Sequence, residues 1–170
     1  MTSSDDYSAY NSPIFSQTML TDGDSADWFG GNTLNPSGYA MPGAIGGGML
    51  LTTSNNELVV GFDQASTATS DVYVYIDSTD AAGSDTGFNG VHTMPSAVDY
   101  VVKATSTSTD VYSYSGTTWT LVPTANAQSA EGAVLEISVP LSSIGASSAD
   151  SIGVVGVVQD IGSDLSLIHI

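Results

Sequence analysis

Apolar and polar positions alternate with a period of two through most of the chain. In Asp71-Val72-Tyr73-Val74-Tyr75-Ile76, Val72, Val74 and Ile76 share one face and the two tyrosines share the other. In the stretch 133–139, Leu135, Ile137 and Val139 point inward and Glu136 and Ser138 outward. The stretch 151–158 is a nearly continuous β-branched run with Gly153 and Gly156, the composition of a central buried strand. Further strands are predicted over 14–20, 49–53, 57–62, 98–105, 111–114 and 117–122. The dipeptide Ser115-Gly116 between the last two is a hairpin signal. Helical periodicity is nearly absent: Pro140-Leu-Ser-Ser-Ile-Gly145 reads as one short turn, opened by Pro and closed by Gly. Nine short strands with frequent turn signals predict an all-β antiparallel sandwich, jelly-roll-like, with minimal helix. Parallel α/β architectures need crossover helices, and the pattern shows none.

Three stretches break the alternation. Residues 22–45 are rich in Gly, Asn and Pro, 77–95 form a long loop rich in Asp, Gly and Ser, and 123–132 form a small-residue connection. The length of 170 residues suits one domain with a full core. We expect that domain over 20–164, preceded at 1–19 by a linker or the end of a preceding segment carrying a first strand. The last residues, Leu165-Ser-Leu-Ile-His-Ile170, follow a polar stretch and match nothing before them. They resemble a translated sequencing adapter, so 165–170 is set aside from the fold as a processing scar, and a longer parent protein is expected. Residues 1–12 are polar and lack the apolar centre of a signal peptide.

Charge narrows the function classes. Fifteen Asp and three Glu face one cation, Lys103, for a net charge of −17. Such a chain repels phosphate backbones and anionic lipid, so neither nucleic acid nor membrane insertion is expected among its partners. Cysteine is absent, which removes disulfides, thiolate catalysis and zinc–thiolate sites. With 26 Ser and 18 Thr, hydroxyls do much of the solubilising. Hydroxyl-rich, lysine-poor and acidic composition points to an extracellular or cell-surface setting.

Several segments in order resemble DOMON-like and family-9-like carbohydrate-binding domains. Thr21-Asp-Gly-Asp-Ser-Ala-Asp-Trp28 is similar to their opening, and Glu57-Leu-Val-Val-Gly61 and Val72-Tyr-Val-Tyr-Ile-Asp77 are similar to their next strands. His92-Thr-Met-Pro95 with Val98-Asp-Tyr-Val101, the hairpin Tyr112-Ser-Tyr-Ser-Gly-Thr-Thr-Trp119, and Leu135-Glu-Ile-Ser-Val-Pro-Leu141 continue the likeness. The resemblance implies a β-sandwich that binds sugars, occasionally haem, inside a large secreted or surface protein. The chain departs from the family in one respect. Sugar-binding members clamp their ligand between aromatic rings, but Trp28 belongs to the opening motif, a core position with Phe29, and only Trp119 remains.

The function expected is therefore a non-catalytic carbohydrate-binding module of a larger secreted or cell-surface protein. Its partners would be a polysaccharide or glycan and other domains of the same chain. The alternative is a structural or adhesive domain of a surface-layer or repeat protein with no small ligand. Trp119, Tyr73, Tyr75, Tyr112 and Tyr114 are the candidate stacking residues, because pyranose faces pack on aromatic rings. The same stripes also serve as cross-strand packing. Ca²⁺ is the one cofactor the loops suggest, because hard oxygen ligands suit it. Its candidate ligands are Asp77, Asp80 and Asp85 in the long loop and Asp22, Asp24 and Asp27 in the opening. Their spacing is not that of an EF-hand, and solvated Asx turns account for them equally. Haem is not expected. His92 and Met94 at i and i+2 cannot flank one ring, and a second ligand would have to come from Met41 or Met49. Catalysis is not expected either: the three Glu are read as strand-surface or loop residues, and Gly46-Gly-Gly48 lacks the lysine of a phosphate loop.

Overall fold

Strand formation follows the alternation. The computed structural model describes residues 21–24, 41–42, 48–63, 65–78, 83–88, 90, 93–161 and 166–169. In chain order the strands are β1 (Met41–Pro42), β2 (Gly48–Ser54), β3 (Glu57–Asp63), β4 (Ser70–Asp77), β5 (Ser84–Thr86), β6 (Thr93–Val98) and β7 (Tyr100–Ala104). There follow β8 (Thr109–Tyr114), β9 (Trp119–Leu121), β10 (Gln128–Glu131), β11 (Val134–Pro140), β12 (Gly153–Asp160) and β13 (Ser166–His169). One sheet has the order β1-β2-β3-β11-β10 and a second the order β13-β12-β4-β7-β8-β9, while β5 and β6 form a small third pair. Every pairing is antiparallel. The architecture is thus the all-β sandwich expected from the sequence.

The core lies between the two large sheets. Val72, Val74 and Ile76 of β4 meet Leu58, Val60 and Phe62 of β3 and Leu135, Ile137 and Val139 of β11. Gly156 of β12 faces β2 and β3 of the other sheet at close range. A Cβ there would sit 2.7 Å from Met49 Sδ and 2.7 Å from a Phe62 ring carbon, so only a hydrogen fits. The expected short turn is a 3₁₀ turn over Leu141–Ile144, with Pro140 before it and Gly145 in the left-handed region after it. Its Leu141 and Ile144 plug the end of the core.

The structure differs from the sequence reading at several points. The stretch 77–95 is not wholly irregular: it contains β5 and the start of β6, which lie over the outer face of the second sheet. The predicted strand 98–105 breaks at buried Asp99, whose Oδ2 accepts the Ser78 N–H at 3.1 Å. In the connection 123–132, β10 forms and pairs with β11. Glu136 does face away from the core, but it is 0 % exposed. Residues 14–20 and 28–29 lie outside the described residues. The tail set aside from the fold supplies β13, whose Ser166–His169 backbone pairs with Gly156–Gln159.

Glu136 is buried because the opening segment lies across it. Its Oε2 accepts the N–H of Asp22 at 2.8 Å and of Gly23 at 2.7 Å. Asp22 Oδ1 accepts the Asp24 N–H at 2.9 Å, an Asx turn that aims those amides inward. Gly23 sits at φ +79°, and a Cβ there would lie 2.5 Å from the Gly132 nitrogen. A Cβ on Gly132 would lie 2.5 Å from the Gly23 oxygen, so the two glycines interlock backbone to backbone. The Asp-Gly of the opening thus has a mechanical role: it docks the segment onto β11.

Candidate functional site

The five aromatic residues singled out from the sequence gather on the outer face of the second sheet. Register explains why. Tyr75 pairs with Val101 and Val101 with Tyr112, while Tyr112 pairs with Leu121 and Tyr114 with Trp119, so all point to one side. Trp119 lies 5.2 Å from Tyr114 and 6.5 Å from Tyr75, centroid to centroid. Tyr73 and Tyr75 stack at 6.2 Å with 14° between their planes.

The five are not equally accessible. The β5–β6 layer brings Met94, Val98 and Phe88 down on this face, leaving Tyr73 3 % and Tyr75 0 % exposed. Tyr75 Oη accepts the Phe88 N–H at 3.0 Å, and burial pushes its phenol up to about 12. These two tyrosines are packing residues here, closed to any ligand. Tyr112, Tyr114 and Trp119 remain half-buried at the rim. Two members were not legible as candidates. Phe88, a lone aromatic in a polar loop, contacts Tyr112 at 4.4 Å and Trp119 at 6.2 Å. Leu121, 48 % exposed, extends the apolar row along β9, and its alternation with Trp119 was the signal available.

The chain's one cation stands at the far side of this face. Lys103 Nζ bonds Asp71 Oδ2 at 2.9 Å and lies 5.5 Å from the Tyr73 ring centroid. Burial, the largest influence on the Lys103 ammonium, lowers its pKa, but the Asp71 hydrogen bond and the charges of Tyr73 and Asp71 raise it more. The Tyr73 phenol is pushed up, chiefly by burial.

The acidic candidates do not converge. Asp27 and Asp80 lie outside the described residues. Asp22 and Asp24 are exposed, and Asp22 is spent on the Asx turn. Asp85 is exposed on β5, where it accepts the Thr86 hydroxyl at 3.3 Å. Asp77 ends β4 and, with Ser78, Gly145, Asp150, Ser151, Ile152 and Gly153, lines an open depression of about 630 Å³. Asp150 closes its own turn, with Oδ2 accepting the Ser147 N–H at 2.7 Å and the hydroxyl at 2.9 Å. Among the described residues no three His, Cys, Asp or Glu side chains group as metal ligands. Met49 and Met94 pack on opposite sides of the second sheet, so they cannot serve one haem. His92 and the Met41 side chain lie outside the described residues. No described helix is long and apolar enough to cross a membrane.

No protein-family profile, no curated protein and no solved structure matches the chain. The likeness to DOMON-like domains rests on the sequence segments quoted above.

Proposed function

We propose that the chain is a non-catalytic carbohydrate-binding module of a secreted or surface protein, and that its ligand packs against the β8–β9 rim. The observation that carries this reading is the half-buried trio Tyr112, Tyr114 and Trp119 with exposed Leu121 on one face. A pyranose ring buries its apolar C–H face on such rings and keeps its hydroxyls in water. The exposed turn beside them offers the Thr117 hydroxyl for hydrogen bonds, while the Ser115 hydroxyl donates to the Thr118 carbonyl at 3.0 Å and holds the turn. With a chain charge of −17, and Lys103 held by Asp71, a neutral glycan suits the site better than a uronate or sulfated one. The test is affinity electrophoresis through gels containing neutral polysaccharides. Retardation of the wild-type chain and its loss in Trp119→Ala support the reading. Equal mobility in every gel refutes it.

The alternative, a structural or adhesive domain, is favoured by one observation. Two of the five aromatic residues, Tyr73 and Tyr75, are sealed inside the domain. It predicts no retardation in any gel.

A further inference from the structure

The open edge of the second sheet carries an inference that does not depend on the glycan reading. Strand β9 ends that sheet. The Ser115 N–H bonds to the Thr118 oxygen at 3.0 Å and the Val122 N–H to the Val111 oxygen at 2.8 Å. Antiparallel ladders alternate, so Thr118, Thr120 and Val122 turn their backbone groups toward β8. Trp119 and Leu121 turn theirs to the open side, where no described residue meets them. Above them stand the Trp119 side chain and the exposed Leu121.

We propose that β9 is a self-association edge, pairing antiparallel with β9 of a second copy of this chain. A twofold axis through Thr120 sets Trp119 opposite Leu121 of the second copy, and Leu121 opposite its Trp119. Both members of each pair present outward backbone groups, so each exchanges two N–H···O=C bonds. A register shifted by one residue would set an outward group against an inward one and lose these bonds. The same pairing lays the Trp119 ring of one copy beside Leu121 of the other on the common face. That burial is cross-strand and hydrophobic.

Charge does not oppose pairing at this edge. Two chains of −17 repel, yet residues 111–130 carry no charged side chain. The flanking acids, Asp110 and Glu131, both have intramolecular partners, accepting the Ser108 hydroxyl and the Ser66 and Thr67 groups respectively. Three paired residues bury far less than the roughly 1,200–2,000 Å² of a standard interface. The pairing is accordingly weak, with Kd about 0.1–1 mM, and it tightens with added salt as long-range repulsion is screened.

The test is sedimentation velocity of the full chain from about 10 μM to about 1 mM, at low and high salt. The wild-type sedimentation coefficient should rise with concentration, and more steeply at high salt. Leu121→Asp places charge on the edge, and Leu121→Pro removes an outward N–H without touching the β8 ladder. Each should raise Kd at least tenfold while leaving the thermal midpoint near that of the wild type. If the proline variant fails to fold, the aspartate variant decides alone. A wild-type coefficient that stays constant over the range overturns the proposal. So does concentration dependence that survives in a folded Leu121 variant.

Discussion

Replacing Glu136 should loosen the opening segment and destabilise the whole domain. The carboxylate is wholly buried and receives two backbone amides at 2.8 and 2.7 Å. Hydrogen bonds to a charged group contribute about 1.5–3 kcal/mol each, and removing the acceptor strands the donors. For Glu136→Ala the loss is therefore about 3–5 kcal/mol, a large share of the roughly 5–15 kcal/mol that holds a domain folded. At about 2–4 °C per kcal/mol for a chain of this size, the melting temperature falls by roughly 6–20 °C. Glu136→Gln keeps an acceptor oxygen in place but not its charge, and should cost about 1–2 kcal/mol. Urea unfolding followed by circular dichroism gives both numbers. Amide exchange at Asp22 and Gly23 gives the local one, because those protons should exchange faster in Glu136→Ala under native conditions. A loss below about 0.5 kcal/mol in Glu136→Ala, with exchange at Asp22 and Gly23 unchanged, would refute the docking argument.

Other consequences are equally specific. Gly156→Ala drives a methyl into Met49 and Phe62, and should destabilise by about 1–3 kcal/mol in urea unfolding; wild-type stability would show that the sheets can part there at no cost. Glu131 is held below the usual carboxylate range by hydrogen bonds from Ser66 and Thr67. Its contribution is thus present above its unfolded-state pKa and disappears as pH falls through the lower folded value. Glu131→Gln should melt about 1–3 °C below wild type at neutral pH, with the gap closing in acid; a gap that does not change with pH contradicts the assignment. Lys103, the one Lys or Arg in the chain, lies within β7 between β4 and β8. Trypsin should leave the native protein intact and cut the unfolded chain once, so cleavage reports opening of the second sheet. Rapid native cleavage at Lys103 would show that β7 is not held.

The sandwich was legible because its central strands alternate without interruption. Val72, Val74 and Ile76 against Tyr73 and Tyr75, or Leu135, Ile137 and Val139 against Glu136 and Ser138, fix two faces whatever the register. The strands over 84–86 and 128–131 were missed for a physical reason. Ser-Asp-Thr and Gln-Ser-Ala-Glu show no apolar alternation, and they are strands because a neighbour supplies the ladder. The Asn55-Asn56 turn between β2 and β3, both residues at positive φ, was a readable two-residue hairpin signal. The candidate site was half legible. Period two puts Tyr73 with Tyr75, and Tyr112 with Tyr114, on one face of each strand, but gives neither the register that joins them with Trp119 nor the β5–β6 layer that buries Tyr73 and Tyr75. That layer depends on Phe88, Met94 and Val98, whose long-range packing leaves no local pattern. Glu136 misled for the same reason, since its cover lies more than a hundred residues away in the chain.

The central claim is that a glycan packs against Trp119, and the chain's two tryptophans make it directly measurable. In a proton–nitrogen correlation spectrum each indole gives its own signal, and the one lost in Trp119→Phe belongs to Trp119. Titration with soluble neutral oligosaccharides should move that signal saturably, together with the backbone amides of Tyr112, Tyr114 and Leu121. If saturable shifts instead cluster around Asp77 and Asp150, or if none of the oligosaccharides moves the Trp119 indole, the β8–β9 rim is not a sugar site.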